Sequence, residues 1–384
     1  MNFELTEEQK DIQRAAREFA QKEFTREIAL ELEKKEEFPF DLWRKACKLG
    51  FIGAHFPEEY GGQGFGILEN ALIVEEFCRK DSTLGTALIL TDFASELILR
   101  CGSEEQKKKY LPKITGGEAI SALAVTEPAY GSNISACLET RAVKDGDYYI
   151  INGTKTLITN ATIANWFVTL CQTNPEAKPP YRGQSVIVVE ADREGVSTNL
   201  LKDKMGIRAS PTGEVSFNDV KVPKENLVGQ ENRGFYHVMH FFDESRIEIA
   251  AHALGIAEEA FDRALAYAKE REQFGRKIGE FQVIQHKLAD MAIKIETARL
   301  IVYKAAWNFD QGRIDPYLTS IAKAYAGRVA VEVADETVQI FGGYGYIGEY
   351  DVERIYRDAK ITEIYEGTKE IQKNTIAKSL IPFI

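Results

Sequence analysis

Four short stretches of this chain carry residue types able to do chemistry on a bound ligand. In Ile364-Tyr365-Glu366-Gly367-Thr368 a carboxylate stands between an aromatic ring and a glycine. The ring can strip water from the carboxylate, and the glycine lets a ligand come close. Desolvation raises a carboxyl pKa and makes the ionised group a stronger base, which suits proton abstraction. Ala124-Val125-Thr126-Glu127-Pro128-Ala129-Tyr130-Gly131-Ser132-Asn133 joins a strand, a proline turn and a loop of small hydroxylated residues. Such a loop offers backbone N–H groups and short side chains to a polar ring or a phosphate. Thr156-Leu157-Ile158-Thr159-Asn160 puts threonine hydroxyls on a strand just after a turn. Gly343-x-Gly345-x-x-Gly348 spells the dinucleotide fingerprint, but that motif needs a strand before it and a helix after it. Ala330 to Phe341 reads as helix, so the Rossmann reading is rejected. Gly342 and Gly343 are read instead as places where a pyrophosphate approaches the backbone.

Other chemistries find no support. The five cysteines at 47, 78, 101, 137 and 171 form no C-x-x-C pair, so free thiols are expected rather than disulfides or a thiolate metal site. None of the five histidines sits in an H-E-x-x-H pattern; His237 and His240 share a helix face, but two residues do not make a metal site. A net charge of −11 over 384 residues gives no general attraction to nucleic acid or anionic membranes. The longest apolar runs, such as Ser185 to Ala191, fall far short of the roughly 18 residues a spanning helix needs. The acidic, amphipathic start has neither an apolar leader core nor transit character, so a cytoplasmic location is expected.

The candidate residues must be positioned by more than one core, since 384 residues suggest two or three domains. Thr6 and Gln9 form a capping-box pattern, followed by Ile12, Ala16, Phe19 and Ala20 at helical spacing. Further helices are predicted from Pro39 to Gly50, Leu68 to Arg79, Ser82 to Arg100 and Ser103 to Tyr110. Near residue 120 alternation takes over. Asp145-Gly146 marks a hairpin between Thr140–Lys144 and Tyr148–Ile151, Asn152-Gly153 a second turn, and Ser185–Glu190 and Glu214–Val222 further strands. After Gly234 three long helical stretches follow, at 235–270, 280–311 and 316–341, then a shorter terminal helix. The expected fold class is α+β: a helical domain over 1–119, an antiparallel β domain over 120–229 and a C-terminal four-helix bundle over 230–384.

Five motifs in register resemble the acyl-CoA dehydrogenase family over essentially the whole chain. They are Val125-Thr126-Glu127-Pro128 with Gly131-Ser132, Ile158-Thr159-Asn160, Arg271-Glu272-Gln273-Phe274-Gly275, Gln339-Ile340-Phe341-Gly342-Gly343 and Tyr365-Glu366-Gly367-Thr368. The resemblance implies FAD-dependent α,β-dehydrogenation of an acyl-CoA, with electrons passed to an electron-transfer flavoprotein. It implies a flavin lined by Leu123, Val125, Thr126, Gly131, Ser132, Leu157, Ile158 and Thr159. It further implies that Arg271, Phe274, Gln282, Gln339, Gly342 and Gly343 reach FAD bound mainly by a neighbouring subunit of a homotetramer, with Thr368 and Glu370 on the other side. Glu366 matches the catalytic base; Asp243, Arg246, Ser132 and Gly367 match acyl-CoA contacts. Some members carry the base on the first bundle helix, where this chain has Ser245, which cannot serve.

The chain departs from the family pattern at Leu157, where many relatives have Trp, at Ala129-Tyr130 and at Asn133. Asp92 lies in the region that forms the acyl pocket in relatives. It is either a solvent-facing residue at a helix bend or a second acid–base group facing a short, branched or cyclic acyl chain. Two alternatives remain: an acyl-CoA oxidase-type flavoenzyme, and a non-catalytic family member acting as a scaffold. No metal and no nucleic-acid or membrane partner is expected.

Overall fold

The computed structural model describes residues 4–381. Seven helices come first: α1 (Glu7–Glu23), α2 (Arg26–Lys35), α3 (Phe40–Lys48), α4 (Ile67–Lys80), α5 (Ser82–Ile89), α6 (Ser95–Cys101) and α7 (Glu104–Thr115). Their starts follow local chemistry. Thr6 and Gln9 close a reciprocal capping box on α1, and Ser103 and Gln106 do the same on α7. The stretch predicted as one helix from Ser82 to Arg100 is two. No glycine or proline marks the break, which is imposed from outside. Asn160 Nδ2 donates to the Leu90 carbonyl at 2.8 Å, Ser121 N to the Thr91 carbonyl at 3.0 Å, and the Asp92 carboxylate accepts from Gly53 N at 2.7 Å. The carbonyls that would extend the helix are taken by the next domain.

That domain is one eight-stranded sheet: β1 (Ser121–Ala124), β2 (Arg141–Asp145), β3 (Tyr148–Thr159), β4 (Trp166–Gln172), β5 (Gln184–Glu190), β6 (Val196–Leu200), β7 (Thr212–Pro223) and β8 (Leu227–Val228). Its order is β6-β7-β3-β2-β4-β5-β8, with β1 beside β4. Most pairs are antiparallel, and β1 runs parallel to β4. The hairpin expected at Asp145-Gly146 joins β2 to β3. The second turn expected at Asn152-Gly153 is instead a register shift inside the continuous strand β3. Gly153 has a φ of +147° there, and a Cβ on it would stand 2.4 Å from Thr140 Cα, so this bulge needs glycine.

The C-terminal part holds α8 (Gly234–Glu270), a small hairpin of β9 (Glu272–Gln273) and β10 (Arg276–Lys277), α9 (Gln282–Asp310), α10 (Pro316–Phe341), α11 (Val352–Ala359) and α12 (Lys369–Leu380). Helices α8, α9, α10 and α12 pack as the bundle, and α4 lies along α8. Small residues on α8 allow that contact. Ala250, Ala251, Ala253 and Ala257 are buried, and a Cβ on Gly255 would lie 2.4 Å from the Glu75 carbonyl oxygen. One apolar core runs through the helices of both ends of the chain and onto one sheet face; a second lies on the other sheet face.

Arg354 of α11 is fully buried and ties the two helical parts together. Its guanidinium meets Asp81 at 2.7 Å and Asp351 at 2.8 Å and donates to Thr83 Oγ1 at 2.9 Å. Ser82 and Thr83 in turn donate to Asp358. Removing one partner of a buried ionic group strands the others and typically costs about 3–5 kcal/mol. Arg354→Leu is therefore expected to lower the unfolding midpoint in chemical denaturation sharply; an unchanged midpoint would show that the cluster contributes nothing net.

Candidate active site

Glu366 sits where three bundle helices converge. The chain leaves α11 through a short 3-10 turn at Lys360–Glu363, and Thr368 then caps α12. Between them Glu366 has a φ of +55° and Gly367 of +87°, both in the left-handed region. That conformation is unusual for glutamate and needs external support. Lys323, buried on α10, donates to the Gly367 carbonyl at 2.7 Å. Gln372 on α12 donates to the carbonyls of Glu366 at 3.0 Å and Gly367 at 2.9 Å. Among the described residues no acceptor takes the Glu366 N–H, which leaves a backbone donor beside the carboxylate.

The carboxylate accepts from Ser245 Oγ of α8 at 2.9 Å. Burial pushes its pKa up to about 7, and the Ser245 hydroxyl, Arg246 and Lys323 hold it from rising further. Arg246 is buried next to Asp243, with N to O at 3.6 Å, and its Nε has no partner among the described residues. Burial raises the Asp243 carboxyl and lowers the Arg246 guanidinium. A buried guanidinium with a free donor is arranged to receive a ligand oxygen.

Asp92 is buried, not solvent-facing, and lies in the break between α5 and α6. It belongs to a polar group with Glu96, Glu244, Glu248, His55 and Arg100. Burial lifts Asp92 to about 6, against the pull of His55, and lifts Glu96 to about 8, against Arg100. Glu366 adds to the rise of Glu96, so this group and the candidate base feel each other. Asp92, Glu248 and Asn70 border a cavity of about 10 Å³ among apolar side chains, room for roughly one water. His55, Glu96 and Glu244 each bring a ligand atom within 4.8 Å of the others. Arg100 donates to Glu244 at 2.7 Å, and its positive charge opposes a metal ion there.

The residues named for a flavin fall in two places. Leu123, Val125, Thr126, Gly131 and Ser132 lie at the end of β1 and the loop after it, beside Leu157, Ile158 and Thr159 at the end of β3. Val125 and Ile158 are buried beneath, and Leu157 is 65% exposed at a φ of +57°. Among the described residues none bonds the hydroxyls of Thr126, Ser132 or Thr159, and a Cβ on Gly131 would meet nothing within 4 Å. Free hydroxyls above an apolar floor fit a polar ring system. The second place is an end of the bundle, where Arg271, Phe274, Gln282, Gln339, Gly342 and Gly343 gather. Arg271 lies over the Tyr344 ring at 5.4 Å. Phe274 and Gly275 both have positive φ, the turn that a two-residue hairpin requires, and Phe274 is 93% exposed. Gly342 and Gly343 face open space. Glu370 is exposed in the first turn of α12, beside Thr368.

Sequence reading placed Glu366, Arg246 and Asp243 in one region, and they are together. It dismissed Ser245 as a base and missed it as the donor to Glu366. It also missed Lys323 and Gln372; a lysine inside the apolar stripe Leu318, Ala322, Ala326 of α10 was the available signal.

Comparison with known proteins gives full-length matches. The descriptions "Acyl-CoA dehydrogenase, N-terminal domain", "middle domain" and "C-terminal domain" match residues 6–118, 122–220 and 232–381. The chain is 44% identical over 380 residues to the short-chain-specific acyl-CoA dehydrogenase of Clostridium acetobutylicum, covering 98% of this chain and 99% of that one. It is 41% identical over 378 residues to subunit CarC of the caffeyl-CoA reductase-Etf complex of Acetobacterium woodii, with the same coverage. The butyryl-CoA dehydrogenase structure from Megasphaera elsdenii superposes with a TM-score of 0.94 at 39% identity, covering 99% of this chain and 100% of that one.

In a reaction that uses the Glu366 carboxylate as base, the rate rises with pH through its pKa. Ser245→Ala removes a donor that favours the ionised form, so that pKa goes up. A hydrogen bond to a charged group is worth about 1.5–3 kcal/mol and one pKa unit is about 1.4 kcal/mol. The acid limb of the pH–rate profile is expected near 7 in the wild type and about one unit higher in the variant. A limb that stays put would remove Ser245 from the site.

Proposed function

Because the chain belongs to the acyl-CoA dehydrogenase family, flavin-dependent oxidoreductases that use FAD, we propose that it dehydrogenates an acyl-CoA thioester between Cα and Cβ, with Glu366 as the base. The observation that carries this reading is the Glu366 carboxylate itself. It is held off its ordinary pKa by burial, bonded to Ser245, and accompanied by its own free backbone N–H.

The residues divide the work. The thioester carbonyl accepts from the Glu366 N–H, which stabilises the negative charge that develops on its oxygen as the α-proton leaves. The Glu366 carboxylate takes that proton. Ser245 loses a charge-assisted bond as this happens, so it favours return to the ionised base. Arg246 and Asp243 hold the acyl-CoA, with Ser132 and Gly367 along its path, and fix the chain against the base. Bound FAD supplies the acceptor for the β-hydride. Leu123, Val125, Thr126, Gly131, Ser132, Leu157, Ile158 and Thr159 would hold its ring, with Thr368 and Glu370 adding contacts.

The exposed, left-handed Phe274 supports a shared cofactor site. Among the described residues its ring meets only the edge of Phe281, at 6.1 Å, and leaves nearly all of its surface open. In our reading it reaches, with Arg271, Gln282, Gln339, Gly342 and Gly343, the FAD of a neighbouring copy in a homotetramer. The Etf complex in the name of the Acetobacterium relative supports an electron-transfer flavoprotein as acceptor. The exposed Leu157 favours a second reading, an oxidase in which oxygen takes the electrons; the rate of reoxidation in air separates the two.

For the acyl group we propose a short, branched or alicyclic chain, with Asp92 as a second acid–base group. The name of the short-chain relative supports a small acyl group, and the burial of Asp92 beside Glu248 supports its engagement with the pocket.

Anaerobic titration with linear, branched, dicarboxylic and cyclic acyl-CoA thioesters is expected to bleach the wild-type flavin with one class. Glu366→Gln should bind FAD yet stay yellow; equal bleaching would refute the base assignment. A positioned acid or base contributes roughly 10²–10⁴-fold. Asp92→Asn should therefore slow the preferred class by at least about tenfold, and unchanged kinetics across the panel would remove Asp92 from the chemistry.

A further inference from the structure

Behind Glu366 runs a buried chain of hydrogen bonds that the proposed reaction does not use. The Thr86 hydroxyl of α5 lies 2.6 Å from the Ser82 carbonyl oxygen and 2.6 Å from His252 Nε2 of α8. His252 Nδ1 lies 2.5 Å from the Tyr365 hydroxyl. Thr86 and His252 have no exposed surface.

The proton positions follow from the donors available. Among the described residues the Tyr365 hydroxyl bonds His252 Nδ1 and no other group, so its proton goes there. A neutral ring then carries its own proton on Nε2, Thr86 Oγ1 accepts it, and the Thr86 proton goes to the Ser82 carbonyl. Burial pushes the His252 pKa down to about 3, so the ring is neutral and its Nδ1 carries a lone pair. That lone pair accepts from the Tyr365 phenol. In this arrangement every proton of the hydrogen-bond chain meets an acceptor. The groups whose charge bears on Tyr365 are Cys78 of α4, Glu248 of α8 and Glu366 itself.

The far end of this chain is anchored. Ser82 donates to Asp358 through its side chain, and its N–H donates to the Glu259 carboxylate at 2.8 Å. The near end is the residue preceding the left-handed Glu366. We infer that His252, held by Thr86, is a positioning residue that locks Tyr365 and through it sets the carboxylate of Glu366 against the substrate. This inference rests on Glu366 being the base. Lys323 and Gln372 fix the carbonyls on the C-terminal side of Glu366, and His252 fixes the side chain just before it.

The test uses the FAD-loaded full chain. His252→Leu removes both bonds. His252→Gln restores them, because an amide oxygen can accept from Tyr365 while its NH₂ donates to Thr86. Tyr365→Phe removes one hydroxyl only. Misplacement of a reacting group by about 1 Å can cost roughly 10²-fold. His252→Leu and Tyr365→Phe are expected to lower kcat by at least about tenfold with KM little changed. They should also raise the isotope effect with α-deuterated substrate, which a merely structural role would not do. His252→Gln should recover most of the rate.

Glu366→Gln serves as the reference. If it keeps full activity, the base assignment fails and this inference with it. If it is inactive while His252→Leu and Tyr365→Phe keep wild-type kcat and isotope effect, the positioning role alone is refuted. Should His252→Leu not fold, Tyr365→Phe decides by the same readouts.

Discussion

A carboxylate that must act as a base in a dry pocket has to be desolvated without being permanently protonated. The bond from Ser245 to Glu366 is where the two demands meet. Burial alone would push the carboxyl up and leave it neutral at physiological pH. One hydroxyl donor and two nearby cations, Arg246 and Lys323, hold it near 7. The donor comes from α8, one cation from α8 and the other from α10, and the backbone is pinned from α10 and α12. The bundle is thus the frame of a single side chain.

The amino-terminal helices act as the other wall. Helix α4 lies against α8 through Gly255 and a face of alanines. Arg354 and its acids fix the start of α5, and α5 carries Thr86 toward the base. The sheet enters by breaking the helix after Ile89, because Asn160 and Ser121 take the carbonyls of Leu90 and Thr91. That break turns Asp92 inward. The acid group it joins is placed by three parts of the chain at once and shares its electrostatics with Glu366.

Long periodic segments were legible in the sequence. The stretches 235–270, 280–311 and 316–341 emerge as α8, α9 and α10 within a residue or two, because apolar spacing over seven or more turns leaves little freedom. A motif marked Glu366, and the family resemblance added Arg246 and Asp243 as acyl-CoA contacts. Features decided by tertiary contacts were not legible. Nothing in Leu90 to Ala94 announces a break, since the competing donors sit 30 and 70 residues away. Asn152-Gly153 carries a turn's letters, yet its glycine serves a bulge against Thr140. Ser245 looked like a lost base, and only its distance to Glu366 shows what it does. His252 and Tyr365 are 113 residues apart, so their bond had no local signature.

The central claim is that Glu366 removes the proton from Cα, and exchange at that carbon reports on it most directly. Oxidised holoenzyme would be incubated with an acyl-CoA that binds but cannot lose its β-hydrogen, in D₂O, and deuterium at Cα read by mass spectrometry. The account predicts exchange in the wild type that rises with pH through about 7 and disappears in Glu366→Gln, while both proteins keep their FAD. Exchange that persists in Glu366→Gln would contradict it and place the base elsewhere in the pocket.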